Sequence, residues 1–309
     1  MIMVQRTRKF KLLFTQIILL ILFGFSSISF AGTYAQTKYP IVLLHGFLGS
    51  EHLLGSDYFY GIPDALRQEG ALVYAPTRSA VNSTEVRGEQ TIAYLENLRQ
   101  QYGYTKFNLI GHSHGGIDAR YVMAKHPDWV ASITTIGAPN DGSFPSDYAL
   151  ANPWTNILDW MYELVGGVSN ALDGHHLPQD KQAYLNSTST AGIRIFNQAY
   201  PKGVVSNCGS QASPYNDGHY LYSMGGTAVL TNGFDITDPW MFAQSLLSTQ
   251  PNDGWVNRCS NHFGFVLQDN IPWNHLDEVN QTNGLVGLSA PNPIIVYKAH
   301  ANRLKNAGL

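Results

Sequence analysis

A serine flanked by glycines constrains the fold of this chain more than any other sequence feature. The pentapeptide Gly111-His112-Ser113-His114-Gly115 follows an apolar stretch that predicts a strand at residues 106–110, and it precedes a helical pattern at residues 115–125. Between a strand and a helix, Gly-x-Ser-x-Gly forms a nucleophile elbow, a sharp turn that lifts the serine hydroxyl clear of a sheet. The positive end of the helix then points at that hydroxyl. The motif therefore predicts a nucleophilic serine on an α/β fold.

Strand and helix patterns alternate along the rest of the chain. Buried strands are predicted at residues 39–44, 71–75, 106–110 and 131–136, and helices at residues 62–68, 85–102 and 115–125. Ser83 and Thr84 are candidate caps for the helix at 85–102, and Gly103 ends it. Elements that alternate at these lengths predict a mostly parallel sheet with helices on both faces. Such sheets bind ligands at the carboxyl ends of their strands, where Ser113 is expected.

The N-terminal segment has the features of a secretory signal peptide. Residues 1–11 contain basic but no acidic side chains, residues 12–25 are almost wholly apolar, and Ser29-Phe30-Ala31 places small residues at alternate positions. The apolar run is shorter than the ~20 residues that a membrane-spanning helix needs. We therefore predict export with cleavage after Ala31, no permanent membrane anchor, and a mature chain at residues 32–309 that forms one domain.

Removal of that segment changes the charge balance. Four of the 19 basic residues leave with it, so 15 basic and 22 acidic residues remain, a net charge of −7. This disfavours nucleic acid and anionic membranes as partners, because no basic patch is available to neutralise phosphates. The two cysteines, Cys208 and Cys259, predict a disulfide in an oxidising compartment. Closing a loop of this length would stabilise the fold by roughly 4 kcal/mol.

A second glycine-marked turn, His45-Gly46-Phe47-Leu48-Gly49, follows the first predicted strand. In this architecture that loop contributes one backbone N–H to the oxyanion hole, and the residue after the nucleophile contributes the other. We therefore assign the two donors to Phe47 and His114. Both act through the backbone, so neither side chain has to be polar.

A serine nucleophile needs a histidine base, and the chain has 11 histidines. The chain order of this fold is serine, acid and then histidine, which favours late positions. His275 lies in a loop-like segment and is the better candidate, although position alone leaves His262 open. His300 falls on a predicted helix at residues 296–305, where a solvated side chain is expected. Spacing leaves four acids open, namely Asp235, Asp238, Asp253 and Asp269.

Four motifs, in this order, resemble the secreted triacylglycerol lipases of the Pseudomonas and Burkholderia type. They are YPIVLLHG at 39–46, NLIGHSHGG at 108–116, NHLDEVNQ at 274–281 and HANRLKNA at 300–307. The resemblance spans the mature chain and is weakest between residues 143 and 221. It implies an α/β-hydrolase fold that lacks the first N-terminal strands. It also implies that Asp253 is the acid, that His275 is the base, and that Cys208 pairs with Cys259.

The same resemblance implies a structural calcium ion near the catalytic histidine. The matching positions are Asp238 and Asp277, with Gln281 and Leu285 contributing carbonyl oxygens. Such hard oxygen ligands suit Ca²⁺, which tolerates flexible geometry. Because Asp277 lies two residues from His275, holding it would also hold the loop that presents the imidazole. A dedicated foldase chaperone during export is a further implication.

An amphipathic helix is predicted after residue 152. Asn152-Pro153 fits a helix start, a capping residue followed by proline. Apolar residues then recur at helical spacing, namely Trp154, Ile157, Leu158, Met161, Leu164, Val165 and Val168. The pattern fits a core helix as well as a lid. The resemblance favours a lid over the site, at about residues 150–180, with Gly166-Gly167 as a hinge.

The resemblance implies a lipase that hydrolyses long-chain triacylglycerols at an oil–water interface through Ser113, His275 and Asp253. A carboxylesterase that prefers soluble short-chain esters is the alternative reading. A catalytically silent binding module on the same fold is a third reading. The complete set of candidate catalytic residues argues against that third reading.

Overall fold

The computed structural model describes residues 32–47, 49, 52–53, 56–154 and 177–309. Its strands are β1 Ile41–Leu44, β2 His52–Leu53, β3 Ser56–Asp57, β4 Val73–Tyr74, β5 Phe107–His112, β6 Val130–Ile136, β7 Tyr215–Asn216, β8 His219–Gly226 and β9 Phe265–Ile271. Its α-helices are α1 Ile62–Gln68, α2 Thr84–Tyr102, α3 His114–Lys125, α4 Phe144–Ala151, α5 Lys181–Thr188, α6 Thr190–Ala199, α7 Asp238–Ser245 and α8 Pro293–Asn306. Short 3₁₀ turns lie at Pro127–Trp129 and Asp277–Val279.

A parallel sheet forms the centre of the fold. Its strands lie in the order β4–β1–β5–β6–β8–β9 with all neighbours parallel, and the short β7 runs antiparallel to the start of β8. β1, β5 and β6 are buried along their whole length, which is typical of parallel strands covered on both faces. Among the described residues no strand precedes β1, and β4 forms the edge beside it. The predicted α/β architecture is confirmed.

Helices cover both faces of this sheet. Side chains of a strand alternate between its two faces, and β1 shows the consequence. Val42 and Leu44 pack into one core with α2 and α3. Ile41 and Leu43 pack into a second core with α1 and α8. The sheet is thus the middle layer of three, and its carboxyl edge is where the loops of the site meet.

The observed element bounds stay close to those predicted from periodicity. The Ser83 hydroxyl accepts a hydrogen bond of 3.3 Å from the Val86 amide and so caps α2, while Gly103 ends that helix in the left-handed region. Asn152 is the C-terminal cap of α4. The rest of the predicted lid helix, with its Gly166-Gly167 hinge, lies in residues 155–176, outside the described residues.

The disulfide predicted from the two cysteines is present. Cys208 and Cys259 are bonded with an S–S distance of 2.00 Å and a Cα–Cα distance of 4.6 Å. The bond joins the segment before β7 to the segment that precedes β9. It therefore anchors the long connection in which Asp253 lies.

Gly32–Leu309 constitutes one compact unit. The predicted signal peptide, residues 1–31, lies outside the described residues. In the part of the chain that the structure describes, no helix is both long and apolar enough to cross a bilayer.

The prediction that His300 is solvated is wrong. Its side chain is 1% exposed, and its Nε2 lies 2.6 Å from Thr134 Oγ1 on β6. The residue shares a face of α8 with Tyr297, Ala301 and Leu304, all of which are buried against the sheet. The prediction placed His300 on a helix but not on a particular face of it, and the phase of α8 turns the side chain inward.

Candidate active site

Ser113 occupies the turn between β5 and α3. Its backbone has φ 54° and ψ −130°, a conformation that L-residues rarely adopt, and its side chain is buried. A Cβ on Gly111 would collide with the backbone of α3, and one on Gly115 would collide with the backbone at the end of β1. Only glycine fits at either position. The strand–turn–helix context predicted for the nucleophile elbow is therefore confirmed.

His275 and Asp253 form a buried pair at the same edge of the sheet. The Nδ1 of His275 lies 2.8 Å from Asp253 Oδ2, and the His275 amide donates to the Asp253 carbonyl at 2.9 Å. The other oxygen, Oδ1, accepts from the amides of Trp255 and Val256 at 2.7 and 2.6 Å. These donors hold the carboxylate in place. His275 then donates from Nδ1 and keeps Nε2 as an acceptor.

The pair lies next to the elbow. The rings of His112 and His275 are 4.5 Å apart between centroids, and His112 immediately precedes Ser113. The indole of Trp255 also stacks on His275, with ring centroids 6.0 Å apart and an interplanar angle of 17°. The imidazole therefore contacts two rings. The structure thus places the His275–Asp253 pair beside the residue that precedes Ser113.

The other candidates from the sequence pair elsewhere. His262 Nε2 lies 2.9 Å from Asp269 Oδ2, and Arg258 Nε donates to the same oxygen at 2.7 Å. This cluster adjoins Cys259 of the disulfide, so His262 and Asp269 belong to a structural ion-pair network. Spacing could not separate these residues from the pair at the elbow, because only the folded chain shows which acid meets which base.

The loop after β1 contacts Ser113 directly. A Cβ built on Gly46 would lie 2.5 Å from Ser113 Cβ, so the backbone of this loop passes against the serine. Among the described residues, no acceptor lies on the amides of Phe47 and His114. His114 is the first residue of α3, where amides have no partner within the helix. Within the described residues, both amides that the sequence predicts as oxyanion donors are thus without a backbone acceptor.

Sequence reasoning missed a second buried carboxylate, that of Glu278. Its Oε1 accepts from the Gly226 amide at 2.7 Å, and its Oε2 lies 3.1 Å from His112 Nε2 and 3.8 Å from His275 Nδ1. Burial raises the pKa of Glu278, and the charge of Asp253 raises it further. The signal was available, because Glu278 follows His275 by three residues and so lies one helical turn away.

His112 is the link between Glu278 and Tyr58. Burial lowers the pKa of His112, which keeps the imidazole neutral. A neutral ring that donates from Nε2 to Glu278 accepts at Nδ1 from the Tyr58 hydroxyl, which lies 2.6 Å away. His112, the residue before Ser113, is thereby held by hydrogen bonds at both of its ring nitrogens.

The positions predicted for calcium partly fit a cation. Asp277 Oδ1 and Gln281 Oε1 are buried without a hydrogen-bond donor, and so is Asp235 Oδ2. Buried carboxylate oxygens are rarely left unpaired, and hard oxygens are what Ca²⁺ binds. Burial raises the pKa of Asp277 to about 7, and the nearby carboxylates of Asp235 and Asp238 add to this effect. A bound cation would oppose this rise in the pKa of Asp277.

Asp238 differs from Asp235 in this respect. The Asp238 oxygens accept hydrogen bonds of 2.5–3.2 Å from Thr231, Asn232 and Asn274. They are already satisfied by donors. The carboxylate oxygen left over for a cation in this segment is that of Asp235, which the sequence alone did not single out.

Comparison with known proteins agrees with the geometry. A family model described as the alpha/beta hydrolase fold matches residues 39–231. Triacylglycerol lipases from Vibrio cholerae, Burkholderia plantarii and Pseudomonas fragi are 44%, 37% and 35% identical to this chain. The alignments cover 95%, 90% and 89% of the chain, and 99%, 89% and 98% of the three relatives.

Solved structures share the fold at lower sequence identity. Lipase 1 from Pelosinus fermentans superposes with a TM-score of 0.60 at 18% identity, covering 87% of this chain and 99% of that one. The mature Bacillus licheniformis lipase BlEst2 gives 0.58 at 21% identity, covering 80% and 88%. Together with the sequence relatives, these matches place the chain in the α/β-hydrolase family, among the bacterial triacylglycerol lipases represented by the Vibrio, Burkholderia and Pseudomonas enzymes.

Proposed function

We propose that this chain is a secreted lipase that hydrolyses long-chain triacylglycerols with Ser113 as nucleophile, His275 as base and Asp253 as the orienting acid. The observation that carries the proposal is the buried Asp253–His275 pair, joined at 2.8 Å, beside a serine held in the strained elbow conformation. The identity of the sequence relatives supports the same reaction.

The reaction follows from these positions. His275 Nε2 takes the proton of the Ser113 hydroxyl as Oγ attacks the ester carbonyl, and the Phe47 and His114 amides stabilise the oxyanion. His275 then gives the proton to the departing alcohol, which leaves an acyl-enzyme. Water attacks the acyl group with His275 again as base, and the fatty acid leaves as Ser113 regains its proton. Asp253 keeps the imidazole in the required tautomer throughout.

The surface beside the site supports a lipid substrate. Residues 227–252 and 279–297, here named the apolar rim, contain two charged residues, Asp235 and Asp238, and both are buried. The two segments are joined by a 3.0 Å hydrogen bond from Asn232 Nδ2 to the Val286 carbonyl. Their exposed large side chains are Leu230, Phe234, Ile236, Phe242, Leu246, Leu285, Leu288 and Ile295.

The apolar rim adjoins the catalytic pair. Trp240 of α7 packs on Trp255 with ring centroids 5.0 Å apart, and Trp255 stacks on His275. Exposed apolar patches of this kind mark binding surfaces. A surface without charge suits a neutral acylglycerol droplet rather than a soluble ester, which needs no such contact. Leu288, Ile236 and Phe234 are the most exposed of these side chains, at 102%, 87% and 86%.

The alternative is a carboxylesterase for short soluble esters. Comparing the rates on a triacylglycerol emulsion and on a soluble ester distinguishes it from a lipase. Purified protein should hydrolyse emulsified triolein and p-nitrophenyl butyrate, and the rate on the second ester should rise when droplets form. Ser113→Ala should lower kcat on both by roughly 10⁶-fold while the circular dichroism spectrum stays unchanged. Activity on p-nitrophenyl butyrate without activity on triolein favours the esterase, and an active Ser113→Ala variant contradicts both.

We further propose that Ca²⁺ binds beside His275 through Asp277 and Asp235, with the backbone carbonyls of Gln281 and Leu285. The support for the two carboxylate ligands is that Asp277 Oδ1 and Asp235 Oδ2 are buried without donors. The two carbonyl ligands follow from the resemblance to the secreted lipases. An ion there neutralises the buried carboxylates and holds the 3₁₀ turn that follows His275. Asp238, predicted from the sequence as a ligand, then serves to hold Thr231 and Asn232.

Export and assembly complete the proposal. A signal peptide at residues 1–31 predicts that the secreted protein begins at Gly32, which N-terminal sequencing tests directly. The disulfide suits an oxidising compartment. A foldase partner follows from the resemblance to foldase-dependent lipases, and expression with and without such a chaperone measures its contribution.

A further inference from the structure

Three charged side chains are completely buried behind the oxyanion loop. They are Arg78, Arg87 and Asp118, each with a side-chain exposure of 0%. Arg78 Nη1 donates to Asp118 Oδ2 at 2.5 Å, and Arg87 Nε donates to the same oxygen at 2.9 Å. Two guanidinium groups thus share one carboxylate. Desolvating three charges is costly, so their position calls for a reason beyond stability.

Both guanidinium groups converge on one backbone carbonyl. Arg78 Nη2 and Arg87 Nη2 each donate to the His45 carbonyl at 2.6 Å. This carbonyl stands at the start of the loop that passes against Ser113. Charge-assisted hydrogen bonds are among the strongest that a protein forms, and two of them meet here.

Arg78 also holds the side chain of His45. Its backbone amide donates to His45 Nε2 at 3.0 Å, which leaves the ring proton on Nδ1. Nδ1 then donates to the Gly46 carbonyl at 3.0 Å. Burial and the two arginine charges lower the pKa of His45, which agrees with this neutral tautomer.

The Gly46 carbonyl and the Phe47 amide belong to one planar peptide unit. Any bond that fixes the carbonyl therefore fixes the direction of the Phe47 N–H. The chain of contacts runs from Arg78 through His45 to that peptide plane. Asp118 connects this chain of contacts to the second oxyanion donor. It lies on α3, the helix whose first residue, His114, supplies that donor.

We propose that Arg78 and Asp118 are positioning residues of the oxyanion hole. Arg78 aims the Phe47 amide, and Asp118 holds Arg78 at a fixed place relative to the His114 amide. Neither side chain touches the substrate. The inference rests on the proposed serine-hydrolase function and names what keeps its two donors aligned.

The test compares two buried arginines. Arg78→Met removes the guanidinium group but keeps the backbone bond to His45. Arg120→Met is the matched control, because Arg120 is also buried and lies on α3, but it bonds Asn140 and Asn197 at 3.1 and 2.6 Å. Kinetics are measured on p-nitrophenyl butyrate below the melting transition of both variants, together with the inhibition constant of an alkyl boronic acid, which mimics the tetrahedral intermediate.

Arg78→Met should lower kcat by about 10- to 100-fold, somewhat less than the loss of an oxyanion donor, with KM within about twofold. The boronic acid should bind weaker by the same factor. Arg120→Met should lower the melting temperature but leave kcat and boronic acid affinity unchanged. Arg78→Lys, which keeps the charge but not the bidentate fork, should recover part of the loss, and Asp118→Asn should resemble Arg78→Met.

The proposal is overturned if Arg78→Met and Arg120→Met change kcat equally, or if Arg78→Met changes KM alone. Should Arg78→Met fail to fold, Arg78→Lys carries the same comparison, and an unchanged kcat in that variant contradicts the proposal. Failure of the proposed function would appear differently, as wild-type protein that hydrolyses no ester at all or as an active Ser113→Ala variant.

Discussion

Two regions with opposite properties meet at the site: one is buried and held by polar contacts, and the other is exposed and apolar. The proposed catalytic floor, here Ser113, His275, Asp253 and the amides of Phe47 and His114, has buried Ser113, His275 and Asp253 side chains, and polar contacts fix its histidine and its acid. The apolar rim beside it exposes large side chains and shows no charge to solvent. The floor pre-orients groups for the transition state, whereas the rim offers area to a neutral lipid surface. Chemistry and substrate access should therefore respond to different mutations.

The largest expected effect lies in the floor. Asp253→Asn keeps the shape of the acid but leaves His275 without a carboxylate to fix its tautomer, and should lower kcat by roughly 10⁴-fold. Because the floor acts on every ester, the loss should be the same on triolein emulsion and on p-nitrophenyl butyrate. Rates on both substrates give the ratio. A loss confined to the emulsion would show that floor and rim do not act separately.

The proposed calcium site joins the two regions, since Asp235 lies in the rim and Asp277 follows His275. Chelation should lower the melting temperature by several degrees, because an ion present at 100 times its Kd stabilises the folded state by about 2.7 kcal/mol. Differential scanning calorimetry with EDTA and then with added Ca²⁺ measures the shift. Asp235→Asn should remove the dependence on Ca²⁺.

Asp238→Asn is the control for that measurement. It disturbs the hydrogen bonds to Thr231 and Asn232, so the melting temperature should fall, but the additional effect of EDTA should persist. If Asp238→Asn abolishes the calcium effect while Asp235→Asn keeps it, Asp238 rather than Asp235 is the calcium ligand.

A smaller effect is expected from the rim. The double variant Phe234→Ser/Ile236→Ser should lower activity on emulsified triolein by about 10-fold, because each large apolar side chain contributes roughly 1.5–3 kcal/mol when fully buried, and contact at an interface is partial. Activity on p-nitrophenyl butyrate below its solubility limit should stay within about twofold. Ile195→Ser, at a 70% exposed position on α6 outside the rim, is the matched control. Equal losses of triolein activity in both variants would show that the apolar rim has no special role in binding the emulsion.

A separate effect concerns acid stability, which should belong to the interior alone. Burial, and then Arg303, lower the pKa of His300 to about 3. Below about pH 6.5 the unfolded chain binds a proton at this position, whereas the native side chain stays neutral down to its own pKa. Stability therefore falls as the pH drops from 6.5 to about 3, by roughly 1.4 kcal/mol per unit for this one group.

His300→Gln removes that proton and keeps a polar partner for Thr134. Urea unfolding between pH 6 and 4 should show a shallower decline for His300→Gln than for wild type, while Phe234→Ser/Ile236→Ser keeps the wild-type slope. An unchanged slope in His300→Gln would mean that the histidine is protonated in the native state.

Local sequence patterns predicted the features that depend only on residues close together in the chain. The strands, the helices and the elbow follow from apolar periodicity and from glycine positions, and their observed bounds differ little from expectation. The choice of Asp253 over Asp269 came from the resemblance, because spacing cannot tell which acid meets His275. His262 was left open for the same reason.

Features that depend on distant contacts were not predicted. Arg78 and Asp118 are 40 residues apart and meet only because α3 packs behind the oxyanion loop. The free oxygen of Asp235, as against the satisfied ones of Asp238, depends on how a loop folds back on itself. The burial of His300 depends on the phase of α8 against the sheet. Each is a property of packing, which no local pattern records.

Activation of Ser113 by His275 is tested most directly by covalent labelling. Wild-type protein is incubated with a long-chain alkyl phosphonate ester, digested and analysed by mass spectrometry. We predict a single adduct on the peptide that contains Ser113, formed in step with the loss of activity, and its absence in folded His275→Ala. An adduct on another residue, or equal labelling of Ser113 without His275, would contradict the claim.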